Sequence, residues 1–420
     1  MSYYTFARYL LIGLLILSLG GLMGWYLYLR TQRAAITAVT TGRGLNAIAP
    51  SSGGGVGSNY RNDVIVANNT GAAYSTTSSP LSSVPQQVWH ANTSPVAGFG
   101  FVSTDANGTS IYFVERATGY IFSALPTSGA VSRVYGVLTP KVYAAYVSST
   151  GAVIERYPAQ GGGVETVVIW PSESSGGSER RSTLPQNMGP FAVSNDTIVY
   201  GLHSEATTII SSSNWSGTKT KTLFSTPLSS LRLTLLADGR ILLGEAPADG
   251  VLGHMYTITK DGELGQFIAP APGLTLLPQA SSTAVLYASS AGGVAHLFVR
   301  SGTTVVSVPL STVADKCVWT SAPPTPKKGE VATSSIAYCA VPDSIPSSQF
   351  LDSWYRGEVH TTDSWWKIDA TAGTATKLAL EWPRGATPPD AVDIQIDSTN
   401  SYIGFKDARD QSLWVLRIPK

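Results

Sequence analysis

The chain has 420 residues, of which 13% are charged, 43% hydrophobic and 10% aromatic, with 41 glycines. Its 28 basic and 27 acidic residues leave no overall basic field for nucleic acid, and the apolar content excludes a wholly disordered chain. Low charge with abundant Ser, Thr, Gly, Val and Tyr suits short strands and tight turns better than long helices.

The net charge of +1 hides an asymmetry. No Asp or Glu precedes Asp63, whereas Arg8, Arg30, Arg33, Arg43 and Arg61 do, so the remainder holds 23 basic against 27 acidic residues. After a short tail, residues 1–8, the segment from Tyr9 to Leu29 runs for 21 residues without a charge. As a helix it spans about 31 Å, the thickness of a hydrocarbon core. Tyr3, Tyr4 and Tyr9 flank one end and Trp25, Tyr26 and Tyr28 the other, as interfacial belts do. The run is longer than the apolar region of a cleaved signal peptide and ends in bulky side chains. It predicts an uncleaved transmembrane anchor inserted in a lipid bilayer. Gly20 and Gly24 form a GxxxG match that allows weak self-association. Residues 30–83 are rich in Ser, Thr, Gly and Ala and predict a flexible tether.

From residue 84 to residue 420, strand-like runs recur between turn signals. Third-strand-like runs occur at Tyr120–Leu125, Val153–Tyr157, Thr207–Ser211, His254–Thr259, His296–Arg300, Trp365–Asp369 and Leu413–Ile418, each after a similar run such as Val142–Val147. Turn dipeptides such as Asp238-Gly239 and Asp261-Gly262 separate them. This predicts an all-β chain: a seven-bladed β-propeller with four-stranded blades. The last blade lacks a fourth strand, and Gln86–His90 is the N-terminal strand expected to close it. A tandem of β-sandwiches predicts no such regular repeat.

The segment FVSTDANGTSIYFVERATGYIFSALPTSGAVSRV at 101–134, with LTLLADGRILLGE at 233–245 and WWKIDATAGTATKL at 365–378, resembles blades of TolB-like and WD40-like propellers. A C-terminal block with Cys317-Val-Trp319, Tyr338-Cys-Ala-Val-Pro342 and Asp352-Ser-Trp-Tyr-Arg-Gly357 resembles membrane-anchored propeller proteins of candidate-phylum bacteria. Both resemblances imply a fold and leave activity open.

Cys317 and Cys339 are the two cysteines and fall on the first two strands of the sixth blade, where a cross-strand disulfide is feasible. A disulfide places the propeller in an oxidising, extracytoplasmic compartment, on a single-pass plasma-membrane protein. The flanking arginines by themselves leave the orientation nearly balanced. The five histidines show no metal-ligand spacing, no G-x-S-x-G elbow occurs, and no cofactor or metal is expected.

Two long segments, Trp170–Met188 and Pro342–Thr362, are expected on one common face, between second and third strands or between blades. Arg180 and Arg181 in the first, with Phe350, Trp354, Tyr355 and Arg356 in the second, make the candidate binding face. The competing expectation is that the second loop folds back and its aromatics plug a neighbouring blade. The functional expectation is a non-catalytic binding or scaffolding platform for an envelope protein, peptide or glycan. The alternative is a glycan-active or quinone-type propeller enzyme, which needs carboxylates or histidines converging on the central channel.

Overall fold

A computed structural model describes residues 86–104, 108–171, 180–194, 197–204, 206–259, 261–280, 282–321, 335–345 and 347–419. The predicted tail, the anchor at 9–29 with its Gly20 and Gly24, and the tether at 30–83 lie outside the described residues. Among the described residues no helix is long and apolar enough to cross a membrane.

The first strand, β1 (Val88–Asn92), is set apart from those that follow it in sequence. Blade 1 is β2 (Val96–Thr104), β3 (Gly108–Glu115), β4 (Ile121–Ala124) and β5 (Val131–Tyr135). Blade 2 is β6 (Ala144–Val147), β7 (Val153–Pro158), β8 (Val164–Trp170) and β9 (Arg180–Thr183). Blade 3 follows as β10 (Met188–Val193), β11 (Thr197–Ser204), β12 (Thr207–Asn214) and β13 (Lys221–Thr226). Blade 4 is β14 (Leu231–Leu235), β15 (Ile241–Glu245), β16 (Leu252–Ile258) and β17 (Leu264–Pro272). Blade 5 is β18 (Thr275–Pro278), β19 (Val285–Ala291), β20 (Val294–Ser301) and β21 (Thr304–Val308). Blade 6 is β22 (Cys317–Trp319), β23 (Ile336–Pro342), β24 (Asp363–Asp369) and β25 (Thr374–Lys377). Blade 7 is β26 (Ala391–Ile396), β27 (Tyr402–Asp407) and β28 (Leu413–Arg417), completed by β1.

The seven sheets are antiparallel meanders, and the predicted propeller is the observed fold. β1 pairs with β28 through Val88 opposite Leu416 and Trp89 opposite Val415, so the N-terminal strand closes the last blade. Closure of this kind joins the two ends of the propeller within one sheet.

Second strands are covered on both faces by adjacent blades and therefore read as continuous apolar runs. Ile111 to Val114 and Ile241 to Leu243 are all buried. Outer strands such as β5 are mostly exposed. Innermost strands approach so closely that a Cβ on Gly98 of β2 would lie 1.9 Å from the Ala145 carbonyl oxygen of β6. Only glycine fits there.

The sequence reading needs one correction, in blade 2. Val142–Val147 and Val153–Tyr157 supply the first and second strands, not the second and third. Its third strand, β8, goes unassigned in the repeat, and the expected insert begins at its last residue, Trp170; blade 2 turns from β7 to β8 through a short glycine run at 161–163. The segment between β8 and β9 therefore leaves the face opposite to Pro342–Thr362, since successive turns of a meander alternate ends. The face that carries the second-to-third-strand turns and the blade connections is called the upper face below.

Cys317 on β22 lies directly opposite Cys339 on β23, and the two form the expected disulfide.

Candidate functional site

The Pro342–Thr362 segment emerges on the upper face and contains a short helix, α1 (Phe350–Tyr355). Phe350, Trp354 and Tyr355 are buried, at 3%, 2% and 7% exposure, in a cluster with Leu351, Ala295 and Val313. They do not form the expected exposed patch. The aromatics of one helical turn instead fold down onto blades 5 to 7, so the competing expectation, a plug, is the observed one. Arg356 remains exposed and pairs with Glu358. Arg180 and Arg181 are exposed on β9, the outer strand of blade 2, and Arg180 stacks on Trp170 with 3.8 Å from Cζ to the ring centroid. The structure therefore does not bring the two arginines together with the α1 residues.

Beneath α1 lies a central cavity of about 350 Å³. Phe191, Leu233, Leu276, Cys317 and Ile394 from the innermost strands of blades 3 to 7 form its wall, and Trp354 and Tyr355 its roof. Three polar anchors hold that roof. At the start of α1, Asp249 from blade 4 accepts the Leu351 N–H at 2.7 Å and the Asp352 N–H at 3.3 Å. At its end, the Tyr355 hydroxyl donates to Asp315 at 2.6 Å, and Asp315 also pairs with Arg232 at 2.8 Å. Burial works against the charge of Arg232, but Asp315 and Tyr355 outweigh it and hold the guanidinium above its ordinary value. Burial pushes the Tyr355 phenol well above its own.

The third anchor is a buried charge cluster. Lys316 Nζ lies 2.6 Å from Asp363 Oδ2 and 2.8 Å from Asp390 Oδ1, with all three side chains fully buried. Trp354 Nε1 donates to both oxygens of Asp390, at 3.0 and 3.2 Å, and His360 Nδ1 lies 3.3 Å from Oδ2. Burial raises the Asp363 carboxyl above its ordinary value, against the pull of Lys316.

The sequence reading missed Arg232, Asp249, Asp315, Lys316, Asp363 and Asp390. They come from blade 4, from the turn that enters blade 6 and from blades 6 and 7, and only Asp315 and Lys316 are adjacent in the chain, so no local motif joins the set. The one legible signal was a lysine inside an apolar stretch, Val313 to Trp319. Among the described residues, no three His, Cys, Asp or Glu side chains are grouped as a metal ion requires.

A further polar pair faces the cavity from blade 7. Asp393 has φ of 51° at a bulge in β26 and pairs with Lys406 at 2.6 Å. Farther out on the upper face, beside Asp249, a groove of about 430 Å³ is lined by Pro227, Leu228, Ala246, Ala248, Val251 and Leu252. Val251 and Leu252 are 59% and 54% exposed, and the Glu245–His254 pair, 3.0 Å apart, also lines the groove. Other exposed apolar side chains of this face are Val137, Leu138 and Val294.

No protein-family model and no curated protein matches the sequence. Solved structures do. An oligogalacturonate lyase in complex with manganese superposes with a TM-score of 0.52 at 10% identity, covering 81% of this chain and 95% of that one. Virginiamycin B lyase from Staphylococcus aureus covers 79% of this chain and 99% of its own at 15% identity and a TM-score of 0.48. A TolB-type protein from Agrobacterium tumefaciens covers 50% of this chain and 80% of its own at 14% identity and a TM-score of 0.38. At these identities the likeness concerns the fold alone.

Proposed function

We propose that the chain is a membrane-anchored, extracytoplasmic propeller that binds an envelope protein or peptide without chemistry, through the upper-face groove of blade 4. The observation that carries this reading is the division of labour on that face. Asp249, Asp315 and Asp390 are occupied in holding α1, whereas Leu228, Val251 and Leu252 stand exposed side by side. Exposed apolar patches of this kind mark interaction sites. The α1 aromatics, expected from the sequence to make the contact, act in this reading as the support beneath it.

The test is site-specific photo-crosslinking of the full chain in its own membrane, with the photoreactive side chain at Leu252 or at Val305 on the outer strand β21. A discrete adduct from position 252 and none from 305 supports the reading. Equal labelling at both positions, or none at 252, overturns it.

Asp393 favours a second reading, a propeller enzyme with its site at the central channel. A non-glycine residue at positive φ on a bulge re-aims its side chain, as at many functional sites. Loss of a turnover on Asp393→Asn, with the fold intact, is the result that would establish it.

A further inference from the structure

The charge cluster under α1 does not face the proposed groove, and its chemistry is of a different kind. Lys316 is a primary amine held in contact with two carboxylates, and these three side chains are closed to solvent. The Trp354 ring covers Nζ, with its centroid 5.0 Å away. Each ion kept in such a place has given up its hydration. One ammonium between two carboxylates also leaves an excess negative charge among these three groups. Condensing the ammonium with one carboxylate gives a neutral amide and removes two of the buried charges.

We propose that Lys316 Nζ and Asp363 Cγ form an intramolecular isopeptide bond, with Asp390 as the base that carries the protons. The roles follow from the contacts. Asp363 Oδ1 accepts the Thr361 hydroxyl at 2.7 Å, and its Oδ2 accepts the Ala391 N–H at 2.8 Å. These donors fix the electrophile and stabilise negative charge on its oxygens during attack. Asp390 accepts the Trp354 indole N–H and touches the same Nζ, as a general base must. Asp363 is the carboxyl that burial pushes up, toward the acid form an amine can attack.

Asp390 takes one proton from the Lys316 ammonium and passes it to Asp363, leaving a neutral amine facing a carboxylic acid. The nitrogen lone pair forms the N–C bond. The second proton leaves nitrogen through Asp390 for the departing oxygen, the C–O bond breaks, and water is released. Ammonium and carboxylate become amide and water, and Asp390 ends as it began. No oxidant or cofactor enters, and proximity replaces activation.

The bond would complete a double staple. β22 has 3 residues and is the shortest strand among the described residues. The disulfide ties it to β23, and the isopeptide would tie the residue before it to the first residue of β24. Both lie beside the cavity that α1 roofs.

A tryptic digest of the reduced and alkylated full chain, read by mass spectrometry, tests the bond without any variant. The expected product joins residues 301–327, uncleaved at Lys316, to residues 357–367, and is lighter than the two peptides together by one water. Release of linear 301–316 from folded protein overturns the proposal and leaves an ion cluster only. A product joined instead to residues 385–406 overturns Asp363 as the acceptor. Asp390→Asn with native near-ultraviolet circular dichroism is expected to digest as separate peptides, and a linked product from it overturns Asp390 as the base.

Discussion

The Trp354 indole N–H donates to the Asp390 carboxylate at 3.0 Å, joining the helix of blade 6 to the connection that enters blade 7. That contact turns a long exposed-looking insert into part of the interior. Trp354→Phe keeps an aromatic ring and removes the donor, leaving a buried carboxylate short of one hydrogen bond. A loss of about 2 kcal/mol in urea unfolding is expected. Trp354→Ala adds a cavity and is expected to cost about 3–5 kcal/mol. Arg356→Ala, on the exposed side of the same turn, is expected to leave the midpoint unchanged.

The disulfide spans 22 residues between Cys317 and Cys339. Reducing it is expected to lower stability by about 3 kcal/mol in the chain-entropy view. Thermal unfolding with and without dithiothreitol measures this. Alkylation of both cysteines in the folded, unreduced chain would contradict the bond.

Closure of the ring depends on a strand far from its partner in sequence. Val88 is fully buried opposite Leu416. Val88→Asp places a charge in that seam and is expected to cost about 3 kcal/mol or more. Hydrogen exchange should show β28 and β27 losing protection before blade 3 does. Uniform loss across all blades would argue against a local seam.

Glu155 on β7 is fully buried, and burial pushes its carboxyl up to about 8, against the attraction of Arg181. The folded value lies above the ordinary one of 4.5, so the folded state binds the proton more tightly. Its stabilising contribution is complete below about pH 4.5 and is lost as pH rises through about 8, at up to about 1.4 kcal/mol per unit. Unfolding curves at pH 5 and pH 8.5 should show the wild type losing more stability than Glu155→Gln. Parallel losses would show that Glu155 titrates normally.

The blades were legible because a strand buried on both faces must be apolar along its length and must end in a turn. Ile241 to Leu243, followed by Leu252 to Ile258, carries both signals in the sequence itself. The Cys317–Cys339 pairing was legible for the same reason, since adjacent antiparallel strands place the two residues opposite each other. Blade 2 was misread where the turn after β7 is a run of glycines and gives little contrast with the strands around it.

The destination of the aromatics was not legible. Phe350, Trp354 and Tyr355 have the composition of a contact surface and also that of a core, and composition alone does not separate the two. The sequence by itself determined a repeating chain of short apolar strands, their number, the joining of its ends and one covalent bridge, all of which follow from local pattern. Only the tertiary structure decided that α1 roofs the channel and that Lys316, Asp363 and Asp390 meet beneath it. Those contacts join residues up to 103 positions apart. Their free energy comes from leaving water together, which no single segment can record.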